Sequence, residues 1–354
     1  MKRICLIVCI LSCLLLSGCG FWMEGERVSV EPHQQGSAGS EQEIIKVTTF
    51  TQMRNALVMT VENGIQKNVM DVSGFVGGSA HLYADAAVRY TLSSNPMGAY
   101  AVESIDYETG VKNGVEAIAF TIQYRYDRTQ ILQIQKTSSM NEVFAAIDQA
   151  LENMESSVVL RVENYEETDF AAWIADRSIQ RPDIVMEYPY VESAVYPESG
   201  SDRIIALTFT YQNGKDALIK MQQKVQSVFT AAELYVQDAQ QVREKYSRLY
   251  AFLMERFDYS IEQSITPSYS LLINGVGDAN AFACVYAAMC HNAELDCYIV
   301  RGSLDGMPHT WNVIRYQGAY YHLDLLYCLE IGDFAPRSAS EMAGYVWDAD
   351  AYPD

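Results

Sequence analysis

His309 and Asp324, an imidazole and a carboxylate of types able to exchange a proton, stand 15 positions apart. That separation is one of strand, turn and strand, with the turn near Gln317-Gly318, and it allows the two residues to pair across neighbouring strands. A carboxylate beside an imidazole fixes its tautomer and supports it as a proton acceptor. Thiols lie in the same part of the chain, at Cys284, Cys290, Cys297 and Cys328. The elements that must position these groups begin upstream. From Ala217 to Phe257 the chain has no Pro or Gly, and Leu249, Phe252, Leu253 and Phe257 fall at helical spacing, which predicts a long helical stretch. Pro267 breaks it, and a second helical pattern runs to Cys290 ahead of the strand-like Cys297-Tyr298-Ile299-Val300.

Several segments in this order carry a resemblance. Tyr269-Ser270-Leu271-Leu272-Ile273-Asn274-Gly275-Val276-Gly277 is followed by the helix ending at Cys290. Then come Pro308-His309-Thr310-Trp311-Asn312-Val313, Tyr320-Tyr321-His322-Leu323-Asp324, and a tail with Glu341-Met342 and Trp347-Asp348 to Tyr352-Pro353. Together they resemble the transglutaminase-like superfamily, whose core is a papain-like thiol-hydrolase fold. The resemblance implies a cysteine nucleophile at a helix start, where the helix dipole and free N–H groups favour a thiolate. It implies His309 as the base, Asp324 as the residue that orients it, and Tyr269 as an oxyanion donor. The position of the nucleophile is held by Ala279, in Gly277-Asp278-Ala279-Asn280. Alanine has no nucleophilic atom. Cys284 lies about 140° around the helix from that position, and Cys290 roughly 16 Å further along it. Neither replaces it, and these cysteines are expected to pack as small apolar groups. Asp278 reads as a helix cap, and His291 and His322 as surface or interface residues.

The amino terminus has a different logic. Met1-Lys2-Arg3 precedes an apolar run from Ile4 to Leu16, followed by Leu16-Ser17-Gly18-Cys19. A charged start, a short apolar middle and small residues before a cut describe a secretory signal peptide. The cut resembles the lipobox of bacterial lipoproteins, which implies a diacylglycerol on Cys19 and an extracytoplasmic, membrane-anchored protein. Two acyl chains suffice for stable anchoring where one does not. Residues 24–43 are polar and rich in Gly, Ser and Gln, and are expected to act as a flexible tether.

Between the tether and residue 229 the sequence echoes itself. Residues 53–63 resemble 143–153; Val102-Glu103-Ser104 recurs as Val191-Glu192-Ser193, and Thr121-Ile122-Gln123-Tyr124 as Thr208-Phe209-Thr210-Tyr211. Each copy opens with a helical pattern and closes with alternating strands. The expected architecture is therefore α+β. It comprises a signal peptide at 1–18, lipidated Cys and tether at 19–43, modules at 44–138 and 139–229, and a papain-like domain at 230–354.

With Lys plus Arg at 25 against Asp plus Glu at 45, the chain is strongly acidic, which argues against nucleic acid as a ligand. No Cys-x-x-Cys pair occurs, so neither a zinc site nor another cofactor is expected. Disulfides and buried free thiols both remain open for the four later cysteines. The favoured function is a catalytically inactive transglutaminase-like domain that binds a peptide, a cell-wall fragment or a protein. Two others compete with it. One is an interaction protein working through its amino-terminal modules; the other is a protease, amidase or acyl transferase whose nucleophile lies elsewhere.

Overall fold

Two helices with the same start open the described part of the chain and its middle. Thr49 accepts a hydrogen bond from the Gln52 amide to cap α1 (Phe50–Glu62), and Ser139 caps a helix at Met140–Glu152 through Glu142 in the same way. Met53, Ala56, Leu57, Thr60 and Val61 form the buried stripe of the first; Val143, Ala146, Ile147, Ala150 and Leu151 form that of the second. The computed structural model describes residues 44–352 apart from Gly77, Glu262 and Gln263. The expected cut site, Cys19 and the tether lie outside the described residues.

In the first stretch α1 is followed by helices α2 (Ala80–Ser94) and α3 (Pro96–Ala101). Its strands are β1 (Ile45–Lys46), β2 (Lys67–Asp71), β3 (Val102–Lys112) and β4 (Val115–Tyr124), ordered β1-β2-β4-β3. After α4 (Arg128–Leu132), the second stretch holds α5 (Met140–Glu152) and α6 (Phe170–Gln180). Its strands are β5 (Gln135–Thr137), β6 (Ser157–Val162), β7 (Tyr190–Tyr196) and β8 (Arg203–Thr210), ordered β5-β6-β8-β7. In each sheet the first pair is parallel and the others are antiparallel. Arg161 of β6 clasps the two stretches together. Its guanidinium donates to Glu62 of α1 at 2.7 and 2.8 Å and to Asp202 at 2.9 and 2.7 Å. Tyr100 stacks on Tyr126 with centroids 4.7 Å apart beside this clasp.

The helical stretch expected over 217–257 is two helices, α7 (Lys215–Val236) and α8 (Val242–Arg256). No Gly or Pro marks the break. It is held by tertiary contacts: Arg248 of α8 reaches back to the Tyr235 carbonyl at 3.4 Å and to the Asp238 carboxylate, satisfying the end of α7. Beyond these helices come the short strand β9 (Asp258–Tyr259), α9 (Tyr269–Asn274) and β10 (Val276–Gly277), which pairs with β9.

Next, α10 (Ala279–Asn292) starts at the residue expected. Asp278 caps it, accepting from the Ala281 amide at 2.9 Å. Residues Ala281 to Cys290 are all buried, as befits a helix apolar on every side. It packs between α8 and the last sheet, formed by β11 (Cys297–Leu304), β12 (Met307–Tyr316), β13 (Ala319–Leu323) and, after α11 (Leu325–Ile331), β14 (Tyr345–Val346). The order is β13-β12-β11-β14, antiparallel throughout. Gln317 and Gly318 join β12 to β13 with φ of 54° and 78°, the two-residue turn that matches strand twist. Among the described residues no helix is long and apolar enough to cross a membrane.

Candidate functional site

β12 and β13 bring His309 and Asp324 together. His309 Nε2 donates to Asp324 Oδ2 at 2.8 Å, so Nε2 carries a ring proton. Asp324 is 2% exposed and is held from every side. Its Oδ1 accepts the amides of Leu326 at 3.0 Å and Tyr327 at 3.3 Å, which makes it the cap of α11. Its Oδ2 also accepts the phenol of Tyr345 at 2.6 Å. Burial works to raise the pKa of this carboxyl, but the hydrogen bonds from His309 and Tyr345 outweigh it and hold the pKa below the ordinary value.

Tyr345 is the site residue that the sequence reading missed. It belongs to the tail that β14 fastens against β11, and its ring meets His309 edge-on at 5.9 Å and Trp311 at 5.2 Å. Arg337 donates to the same phenol at 3.0 Å. No turn or periodicity in the sequence pairs Tyr345 with Asp324. Tyr269, the expected oxyanion donor, opens α9; among the described residues no hydrogen bond or ring contact joins it to His309 or Asp324.

Asp324 supplies a sign that can be measured. Its pKa is depressed by folding, so its contribution to stability is present above the unfolded carboxylate value, about pH 4, and is lost as pH falls below that value through the lower folded one. Removing the phenol in Tyr345→Phe should cost about 1–3 kcal/mol at pH 7 and less at about pH 3. Denaturant unfolding at both pH values checks this. A gap that stays constant with pH would reduce Tyr345 to a packing role.

The rest of the frame is apolar or internally paired. Trp311 is fully buried and lies under His309, nearly parallel at 6.0 Å, and its indole N–H donates to His322 Nδ1 at 2.9 Å. His322 is therefore a buried residue and not the surface one expected, because a buried indole N–H needs an acceptor. His291 is exposed, as read from the sequence, and donates from Nε2 to the Cys297 carbonyl at 2.6 Å. Asn312, on the opposite face of β12 from Trp311, donates to the Ala283 carbonyl at 2.9 Å and ties the sheet to α10. Gly302 permits the close approach of the tail, since a Cβ there would stand 2.2 Å from the Val346 carbonyl oxygen.

The four cysteines of the described residues are free thiols, and all are buried. Burial pushes Cys284 up to about 12 and Cys328 up to about 11, and raises Cys290 well above an ordinary thiol. A thiol so shielded is a poor source of thiolate. Ala279, by contrast, stands half-buried in the first turn of α10.

Residues 230–325 match the family model for the transglutaminase-like superfamily. None of the curated proteins matches the chain. Among solved structures, a transglutaminase matches at 11% identity over 65% of this chain and 66% of its own, with a TM-score of 0.29. A "putative cysteine protease" from Cytophaga hutchinsonii matches at 11% identity over 45% of this chain and 70% of its own, with a TM-score of 0.27. A "putative protease" from Parabacteroides distasonis matches at 9% identity, with 72% and 39% covered and a TM-score of 0.24. Through residues 230–325 the chain carries a domain of the transglutaminase-like superfamily.

Proposed function

We propose that this chain is a lipid-anchored, extracytoplasmic protein whose transglutaminase-like domain binds a peptide, cell-wall or protein ligand without reacting with it. One observation carries the reading. The His309–Asp324 pair is made and reinforced, while the first position of the capped helix α10 is an alanine. An imidazole with a correctly held proton has no nucleophile there to activate. Cys284, Cys290 and Cys328 do not rescue the chemistry, because burial raises each above an ordinary thiol. In the unaltered protein, thiol-probe labelling and amide turnover are expected to show nothing that depends on His309. A signal that disappears in His309→Ala would sink the reading in favour of an enzyme.

The anchor rests on Leu16-Ser17-Gly18-Cys19 after a short apolar run. Cys19→Ser is expected to move the protein from the membrane fraction to the soluble one or to stall it as an uncleaved precursor. A variant that is cleaved and stays with the membrane would overturn lipidation at Cys19.

A further inference from the structure

A second cleft lies away from position 279, where the middle of the chain meets the last domain. It is a cavity of about 480 Å³ with α6 on one side and β11, the end of α10 and the tail on the other. Its walls carry opposite charges. Asp176 comes from α6 and Arg301 from β11. No ion pair joins the two, and among the described residues Arg301 has no carboxylate partner at all. Asp176 Oδ2 accepts the Gln180 side-chain amide at 2.5 Å, which steadies the carboxylate and leaves Oδ1 open. On the facing wall the Tyr352 hydroxyl accepts the Arg301 backbone amide at 3.3 Å, which fixes that ring at the cavity edge. Between the charges the lining is apolar and aromatic, from Ile179, Ile299, Tyr298 and Tyr352.

An acid and a guanidinium that line one cavity without pairing with each other match a ligand that carries both complementary charges. An apolar floor between them suits a short side chain. We propose that this cleft binds a dipeptide-sized zwitterion, with its ammonium on Asp176, its carboxylate on Arg301 and its side chains against Ile179 and the two tyrosines. The guanidinium is suited to the carboxylate end because its fork presents two parallel N–H donors. Small hydroxyl groups line the neighbouring cavity at the start of α10, which shares Ile179 with this one but not the Asp176 and Arg301 pair. The inference goes beyond the reading of position 279 and does not depend on it.

The test is calorimetric titration of the full chain with alanyl-phenylalanine, its N-acetyl form and its C-terminal amide. The free dipeptide is expected to bind, and each capped form to bind at least about 10-fold more weakly. Arg301→Ala should weaken the free dipeptide to the level of the amide and leave the amide unaffected. Asp176→Ala should do the same with respect to the acetylated form. Both side chains are exposed, so neither change threatens folding. Ala279→Cys should leave all three affinities where they were, which separates a failure here from a failure of the non-catalytic reading. Equal binding of free and capped forms, or no binding of the free dipeptide at 10-fold excess over about 1 mM, would overturn the proposal.

Discussion

Ala279→Cys is expected to give the protein a single fast-reacting thiol whose reactivity vanishes when His309→Ala is added. Position 279 is the first residue of α10, with the Asp278 cap behind it and the uncapped N–H groups of the first turn around it. A helix start favours thiolate over thiol, and an imidazole within hydrogen-bond reach would favour it further. Thiols in such settings titrate between about 3.5 and 7.5, against about 8.5 for a free one, so at pH 6 the thiolate should be at least ~10-fold more abundant. Iodoacetamide labelling against pH reads this directly, with the parent protein as the background. Burial keeps that background low, since Cys284 sits near 12 and Cys328 near 11. Reactivity that plateaus below pH 7 and depends on His309 would show a site that lacks only its nucleophile. A new thiol with ordinary reactivity would mean that α10 and His309 are not set for joint chemistry, and attention would shift to the cleft at Arg301.

Trp311→Ala should be the most destabilising single change in the last domain, at about 3–5 kcal/mol. The indole is fully buried and makes ring contacts with His309, His322, Tyr345 and Trp347. It anchors a small core of its own with Val300, Val313 and Met342, on the sheet face covered by the tail. Truncation leaves a large void there and strips the buried His322 Nδ1 of its donor. The midpoint of thermal unfolding should fall by on the order of 10 °C, with the transition of the last domain moving most. Trp311→Phe separates the two contributions, since it keeps most of the volume and loses the indole N–H. It should cost about 1–3 kcal/mol. An alanine variant within 1 kcal/mol of the parent would show that the tail is not packed on this face.

Much of the site was legible because its signals are local. Gln317-Gly318 marks a turn of the type that joins adjacent antiparallel strands, and the 15-residue spacing then sets His309 against Asp324. The start of α10 could be read from an aspartate before an alanine-rich run, because a cap satisfies the helix ends within three residues of sequence. The paired helices were visible as repeated helical patterns at 53–63 and 143–153, while the caps at Thr49 and Ser139 emerged only in the structure.

The remainder is tertiary. The break between α7 and α8 has no glycine or proline to announce it and depends on Arg248 reaching back across the turn. His322 looks like a surface residue until Trp311 is placed against it, because a polar side chain in a strand belongs on whichever face finds it a partner. Tyr345 reaches Asp324 only because β14 lays the tail along β11, and Asp176 shares a cavity with Arg301 only because α6 packs beside α10. Hydrophobic period and turn chemistry dictate what a segment becomes and how it meets its neighbour in sequence. Which distant side chain completes a buried carboxylate, or leaves a charge unpaired across a cleft, is settled by packing between segments, and short-range patterns carry no record of it.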